Sequence, residues 1–106
     1  MPFSRDAWES PEGVLDAADF CSVCLIDDNP SGEDKVKGQC KLPIQSRPGA
    51  PYNIRAMQAA WGAMMGARGG MEASQEHKQK AARKLMRLYQ EARLQVPRAM
   101  RRMAGE

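Results

Sequence analysis

The clearest hydrophobic pattern lies in the middle of the chain, where apolar residues recur at steps of three and four. Asn53 stands directly before this pattern and is a good helix N-cap, and the glycine-rich run 66–70 follows it and offers a residue for a left-handed C-cap. The pattern therefore predicts a helix with one buried face. Its apolar positions are Ile54, Met57, Trp61, Met64 and Met65.

One further helix is predicted before it and two after it. Ser10-Pro11-Glu12 combines an N-cap, a proline and a first-turn acid, which predicts a short acidic helix ending near Phe20. Ser74 caps a second long pattern, and Pro97 can open a last short basic helix. The apolar positions after Ser74 are Ala81, Ala82, Leu85, Leu88, Tyr89 and Ala92.

Between the first two helices the pattern changes to one that favours strands. Val23, Leu25 and Ile26 are β-favouring, residues 27–32 are dense in turn-forming types, and residues 36–44 alternate in polarity. This order predicts a β-hairpin with a loop of about eight residues. Two strands alone are not stable, so we expect the hairpin to lie against helices.

These elements predict an α+β fold, in which a β-hairpin packs against two main α-helices, with a short N-terminal helix and a basic C-terminal helix. We assign residues 1–9 to an extended arm, 10–95 to a single α+β domain and 96–106 to the C-terminal helix, because 106 residues support one compact core. The predicted core consists of Leu15, Phe20, Val23, Leu25, Cys40, Leu42, Ile44, Ile54, Met57, Trp61, Met64, Leu85, Leu88 and Tyr89.

The net charge of +3 hides a strong asymmetry along the chain. Residues 1–34 contain nine acids and one arginine, whereas residues 35–106 contain fifteen Lys or Arg and four acids. Two interpretations fit this distribution. Either the opposite charges of the two halves compensate each other, or the second half presents a basic face to an acidic partner. No apolar run has the length of a membrane span, and the acidic N-terminus does not resemble a signal peptide, so we expect no membrane partner and a cytosolic protein or one carried in a particle assembled there.

The three cysteines allow three interpretations. Cys21-x2-Cys24 followed by Cys40 has part of the spacing of a zinc ribbon, but Pro43 stands at the fourth ligand position, which leaves His77 as the remaining candidate. A Cys24–Cys40 disulfide is the second interpretation, because these residues lie on strands predicted to pair. We favour the third, in which cysteine serves as a small buried apolar residue, because cytosolic thiols are normally reduced. No cofactor is expected.

Catalytic chemistry has little support in the sequence. His77 is the only histidine available as a base, and it lies at the start of a predicted helix where a solvated side chain is typical. The Asp27-Asp28 pair lies in a turn and is expected to bond local backbone. The glycine-rich run 66–70 lacks the lysine and the strand-loop-helix context of a phosphate-binding loop. We therefore predict that the protein is not an enzyme.

Several stretches, between roughly residues 16 and 93, resemble a small domain of unknown activity that phages and prophages encode. The domain occurs alone or beside head-morphogenesis proteins such as prohead proteases, so the resemblance implies a protein of the virion or of its assembly in the host cytoplasm. This chain departs from the pattern by having Trp61, Met64 and Met65 where small alanines are usual. The matching positions are 24–27 (CLID), 41–44 (KLPI), Asn53, 56–66, 67–70 (ARGG), 80–85 (KAARKL), Leu88 and Tyr89.

Three functional hypotheses follow. In the first, the chain is a non-enzymatic structural or head-assembly accessory protein that contacts capsid, portal or protease proteins, or further copies of itself, through Phe3, Trp8, Trp61, Met64 and Met65. In the second, it is a nucleic-acid-binding module that contacts packaged DNA. Against the second, the basic residues are expected to circle their helix without forming one stripe. The candidate basic residues are Lys78, Lys80, Arg83, Lys84, Arg87, Arg98, Arg101 and Arg102. A zinc-stapled interaction domain using Cys21, Cys24, Cys40 and His77 is a third, weaker hypothesis.

Overall fold

The computed structural model describes residues 2–30, 34–66 and 73–106. Within these segments the α+β prediction is confirmed, because a small β-hairpin accompanies four α-helices, two of them long. The elements are β1 (Phe3–Ser4), α1 (Ala17–Ser22), β2 (Cys24–Asp27), β3 (Cys40–Pro43), β4 (Tyr52–Asn53), α2 (Ile54–Met64), α3 (Gln75–Glu91) and α4 (Arg98–Met103). None of the helices in the described segments combines the length and the apolar character needed to cross a bilayer.

The chain groups into two compact units, residues 1–60 and residues 61–106, and the boundary falls within α2. The first unit contains both small sheets and α1, and the second contains α3 packed against α4. We predicted an arm over residues 1–9, a domain over 10–95 and a helix over 96–106, and these bounds stay predictions.

The hairpin forms as predicted, but its second strand is shorter than the sequence indicated. Strands β2 and β3 pair antiparallel, with Asp27 opposite Cys40, and the strand begins at Cys40 and not at Val36. The physical reason is that Lys37–Gln39 form a 3₁₀ turn, in which Gln39 N donates to Val36 O at 3.0 Å, while Asn29 Oδ1 accepts a hydrogen bond from Val36 N at 2.7 Å. These bonds occupy the backbone groups that a longer ladder would need, and Val36 is left 57% exposed.

The acidic N-terminal helix is also shorter than predicted. Residues 11–13 form a single 3₁₀ turn after Ser10, whose Oγ accepts from Glu12 N at 3.4 Å. The α-helix begins only after Asp16, whose Oδ1 accepts from Asp19 N at 2.8 Å. A second N-cap six residues after the first divides the segment, because each cap satisfies the free donors of its own helix start.

The N-terminal arm is paired with its own unit. Strand β1 runs parallel to β4, Tyr52 N donates to Pro2 O at 2.9 Å, and the rings of Phe3 and Tyr52 lie 6.0 Å apart between centroids. Arg55 Nε adds a hydrogen bond to the main-chain oxygen of Arg5 at 3.1 Å. The arm is therefore fastened at the start of α2.

The predicted starts of α2 and α3 and the predicted glycine at the end of α2 are confirmed. Asn53 Oδ1 accepts from Ala56 N at 2.9 Å, and Ser74 Oγ accepts from His77 N at 3.1 Å. Gly66 has φ of 99°, the left-handed conformation that a C-cap glycine favours. The rest of the glycine-rich run, residues 67–70, lies outside the described residues.

Most of the predicted core is buried. The buried members are Phe20, Val23, Cys40, Ile44, Ile54, Met57, Met64, Leu85, Leu88 and Tyr89. Leu15, Leu25, Leu42 and Trp61 are only half-buried. Leu25 shares a face of β2 with Asp27 while Cys24 and Ile26 point inward, and Leu42 has φ of 66°, which takes it out of the regular strand alternation. Ile26 and Met100, which the prediction omitted, are buried.

Candidate functional site

A disulfide joins the end of α1 to the start of β3. It pairs Cys21 with Cys40, whose Cα atoms lie 5.3 Å apart, and leaves Cys24 as a buried free thiol. This corrects two sequence interpretations: Cys24 is not the partner of Cys40, and Cys21 and Cys40 are not simply small apolar residues. The hairpin register explains the pairing, since Cys24 lies opposite Pro43 while Cys40 lies opposite Asp27, near the loop.

Polar groups from the hairpin loop surround the disulfide. Asn29 Nδ2 lies 3.2 Å from Cys40 Sγ and 3.7 Å from Cys21 Sγ, and it also donates to Asp27 Oδ1 at 2.8 Å. Lys35 Nζ lies 2.6 Å from Asp27 Oδ2. Burial alone would raise the pKa of the Asp27 carboxyl, but the hydrogen bonds from Lys35 and Asn29 outweigh it and hold that pKa below its ordinary value.

The same cluster contains the metal-ligating groups that the structure brings together. Among the described residues, one ligand atom each from Cys21, Asp27 and Cys40 lies within 4.8 Å of the others. The predicted ligands Cys24 and His77 do not belong to this group. His77 lies in the first turn of α3, where its Nδ1 is 3.0 Å from Ser74 Oγ. Sequence reasoning missed Asp27 as a candidate ligand because only the strand register places it beside Cys40.

Cys24 has the environment of an unreactive thiol. Burial, together with the negative charges of Glu12 and Asp27, raises its pKa to about 12. Since the thiolate is the reactive form, Cys24 is a weak nucleophile at neutral pH.

The residues predicted to bind a protein partner differ in their exposure. Phe3 packs against Tyr52, and Trp8 lines a shallow apolar depression of about 180 Å³ with Pro43 and Ala60. Met64 is buried and Trp61 half-buried. Of the five, Met65 alone is strongly exposed, at 55%. Their role in binding a partner stays a prediction.

A larger cleft of about 460 Å³ lies beside the arm, lined by Ser4, Asp6, Trp8, Ser10, Arg47 and Asn53 among others. Its lining residues offer hydroxyl, carboxylate and guanidinium groups, and none of them is a histidine or a cysteine. The cleft therefore lacks a pairing of nucleophile and imidazole base within its lining.

Four of the five basic residues of α3 share one side of the helix, although we expected them to circle it. Ala81, Ala82, Leu85, Leu88 and Tyr89 are the buried positions. With 3.6 residues per turn, Lys80, Arg83, Lys84 and Arg87 lie within about 100° of one another on the opposite side. We call these four residues the basic stripe. Lys78 lies outside it, on the side of Leu85, and is half-buried.

Like charges are held close together within the basic stripe. The pKa of Lys84 is lowered, first by burial and then by the nearby charge of Arg87. Lys80 makes an exposed ion pair with Glu76 at 3.6 Å. Arg83 Nε donates to the main-chain oxygen of Ala104 at 2.8 Å, which places the end of α4 beside the stripe.

Helix α4 adds three exposed arginines on one side. Arg98, Arg101 and Arg102 are exposed, while Met100 on the other side is fully buried. Arg101 makes an ion pair with Glu106 at 3.6 Å. In all, residues 73–106 contain nine Lys or Arg and three acids.

No protein-family model matches the chain, no curated protein matches it, and no solved structure matches it. The resemblance to a phage-encoded domain stays a prediction.

Proposed function

We propose that this chain is a non-enzymatic nucleic-acid-binding module that contacts phosphate groups through the basic stripe and the exposed arginines of α4. The observation that carries the proposal is the placement of Lys80, Arg83, Lys84 and Arg87 on one side of α3, where three of them are exposed and Lys84 is half-buried. Like charges repel one another, and a polyanion laid across them relieves that repulsion.

The dimensions of the stripe suit a duplex backbone. The rise from Lys80 to Arg87 along α3 is about 10 Å, a length over which duplex DNA carries about six phosphate charges. Arg83 donates to the main-chain oxygen of Ala104 at the end of α4, and Arg102 of α4 lines one cleft with Gln79 of α3, so Arg102 adds positive charge near the stripe. Several phosphates can therefore be contacted together.

The stripe favours backbone contacts over base recognition. Tyr89 is the aromatic residue of α3, and it is buried on the opposite side of the helix. Without an exposed ring on the stripe, base stacking has no platform there, so we expect binding that depends little on sequence and strongly on salt. In the phage context that the resemblance implies, the ligand would be packaged DNA.

The test is a fluorescence-anisotropy titration of a labelled DNA duplex at several salt concentrations. We expect wild-type affinity to fall steeply with salt. A Lys80→Gln/Arg87→Gln variant should bind more weakly, with a slope of log affinity against log salt smaller by about two, since each phosphate contact contributes roughly 0.9.

The matched control is an Arg5→Gln/Arg47→Gln variant, which removes the same net charge from exposed positions in the first unit. It should bind nearly as well as wild type. Equal losses in both variants would mean that net charge alone attracts DNA, and the proposal of a defined stripe would be wrong.

A second candidate is the head-assembly accessory protein, which acts through protein–protein contacts with capsid, portal or protease proteins. It is favoured by Met65, which is 55% exposed one helical turn after the half-buried Trp61. The test is binding to purified phage heads with Met65→Ala, with Val14→Ala as the control because Val14 is 86% exposed in the other unit. A loss with the first variant alone supports the candidate, and unchanged binding by both excludes this contact.

A further inference from the structure

We propose that Cys21, Cys40 and Asp27 form a zinc site when the Cys21–Cys40 disulfide is reduced. The two sulfurs and the carboxylate come from α1, β3 and β2, and their ligand atoms lie within 4.8 Å of one another. This site is independent of the basic stripe and of nucleic-acid binding.

The hairpin register places the carboxylate where a metal would need it. Asp27 and Cys40 are directly opposed on β2 and β3, so their side chains project from the same face of the hairpin. Cys21 reaches that face from the end of α1, and its disulfide with Cys40 places the two sulfurs next to each other. Three donor groups therefore converge from three elements.

After reduction, the two sulfurs need to move apart only slightly to bind zinc. Two thiolates on one tetrahedral zinc, each at about 2.3 Å, lie about 3.8 Å apart. The Cα atoms of Cys21 and Cys40 are 5.3 Å apart, so rotation of the two side chains separates the sulfurs without breaking the pairing of β2 and β3. Two thiolates and a carboxylate form a ligand set that suits zinc, and water completes the fourth position.

The surrounding groups already orient the ligands. Asn29 Nδ2 points toward both sulfurs, at 3.2 Å and 3.7 Å, and a donor at this position stabilises thiolates. Lys35 holds one oxygen of Asp27, as outer partners of metal-bound carboxylates commonly do. Asn29 and Lys35 both lie between β2 and β3, so residues that already contact the disulfide or Asp27 would also support the metal.

The chemistry balances with a thiol reductant or with a phosphine. Two thiols of the reductant give two electrons and two protons to the disulfide, and they become a disulfide themselves while Cys21 and Cys40 become thiols. A phosphine instead takes an oxygen atom from water to become a phosphine oxide, and the two protons of that water complete the two thiols. Zinc binding then releases the two thiol protons to solvent. Because a disulfide sulfur is a poor zinc ligand, the oxidised chain has no such site.

The experiment compares zinc binding by the oxidised and the reduced chain, measured by native mass spectrometry and calorimetry under anaerobic conditions with a phosphine reductant. We expect one zinc per reduced chain and none per oxidised chain. Cobalt bound to the reduced chain should show the absorption of thiolate-to-metal charge transfer, which reports the sulfur ligands directly.

Variants identify the ligands. Asp27→Asn should weaken zinc binding by about tenfold or more. Cys24→Ala should bind zinc like wild type, because Cys24 is outside the ligand group. Circular dichroism of each reduced variant establishes that it is folded. A folded reduced chain that takes up no zinc, or an Asp27→Asn variant with unchanged affinity, overturns the proposal, as does a Cys24→Ala variant that loses the metal.

Discussion

Asn53 Nδ2 donates a hydrogen bond at 3.1 Å to the main-chain oxygen of Asp6, which lies 47 residues earlier in the chain. The same side chain caps α2 through Oδ1, and it is only 7% exposed. One buried amide thus joins the arm to the first turn of α2. The oxygen of the amide caps the helix and its nitrogen bonds the arm, so a substitution that keeps only an oxygen acceptor separates these two functions.

We expect Asn53→Ala to lower the free energy of unfolding by about 2 kcal/mol, since it removes a helix cap and leaves the part-buried Asp6 carbonyl without this donor. Asn53→Ser should cost less, because serine keeps a capping oxygen and loses only the bond to the Asp6 carbonyl. Urea denaturation of the two variants measures both effects. If serine proved as destabilising as alanine, the cap would contribute nothing.

The disulfide should stabilise the first unit appreciably. It spans 19 residues of sequence, and cross-links of that length contribute about 3 kcal/mol. We expect Cys40→Ser to lower the urea midpoint by the corresponding amount, and a reducing agent to lower the wild-type midpoint similarly. Reductant should leave the Cys40→Ser midpoint unchanged, since that variant has no disulfide to lose, and a further fall would contradict the assignment.

Cys24 should resist alkylation in the folded chain. With a pKa of about 12, its thiolate fraction at pH 8 is on the order of 10⁻⁴, and its side chain is buried. Iodoacetamide at pH 8, followed by mass spectrometry, should label no cysteine in the native oxidised protein. Denaturant without reductant should expose one, and denaturant with reductant all three. Labelling of Cys21 or Cys40 without reductant would show that the disulfide is absent.

Lys84 should titrate below the ordinary range for lysine. Its pKa is lowered by burial and then by Arg87, so Arg87→Gln should raise the pKa part of the way back. The folded chain loses this proton at lower pH than the unfolded chain, so the contribution of Lys84 to stability rises as pH increases through the folded pKa. Nuclear magnetic resonance of the lysine side-chain carbons measures the shift. An unchanged Lys84 pKa in Arg87→Gln would show that the stripe charges do not interact.

Local sequence determined the helix starts and most of the core. The caps at Asn53 and Ser74 act on backbone groups three residues away, and the apolar steps of α2 and α3 depend only on the helical repeat. Such interactions do not depend on residues that are distant in the sequence. The α+β class and the buried positions Met57, Leu85 and Leu88 were predictable for that reason.

Only the tertiary structure decided the cysteine pairing and the exposure of the predicted contact residues. Cys21 meets Cys40 because the register of β2 and β3 turns Asp27 and Cys40 to the same face, and a register depends on contacts between distant residues. Packing likewise decided exposure, since Met64 is buried while the adjacent Met65 is 55% exposed. Spacing along a chain specifies which residues share a face, whereas packing decides which face meets solvent and which side chains come together.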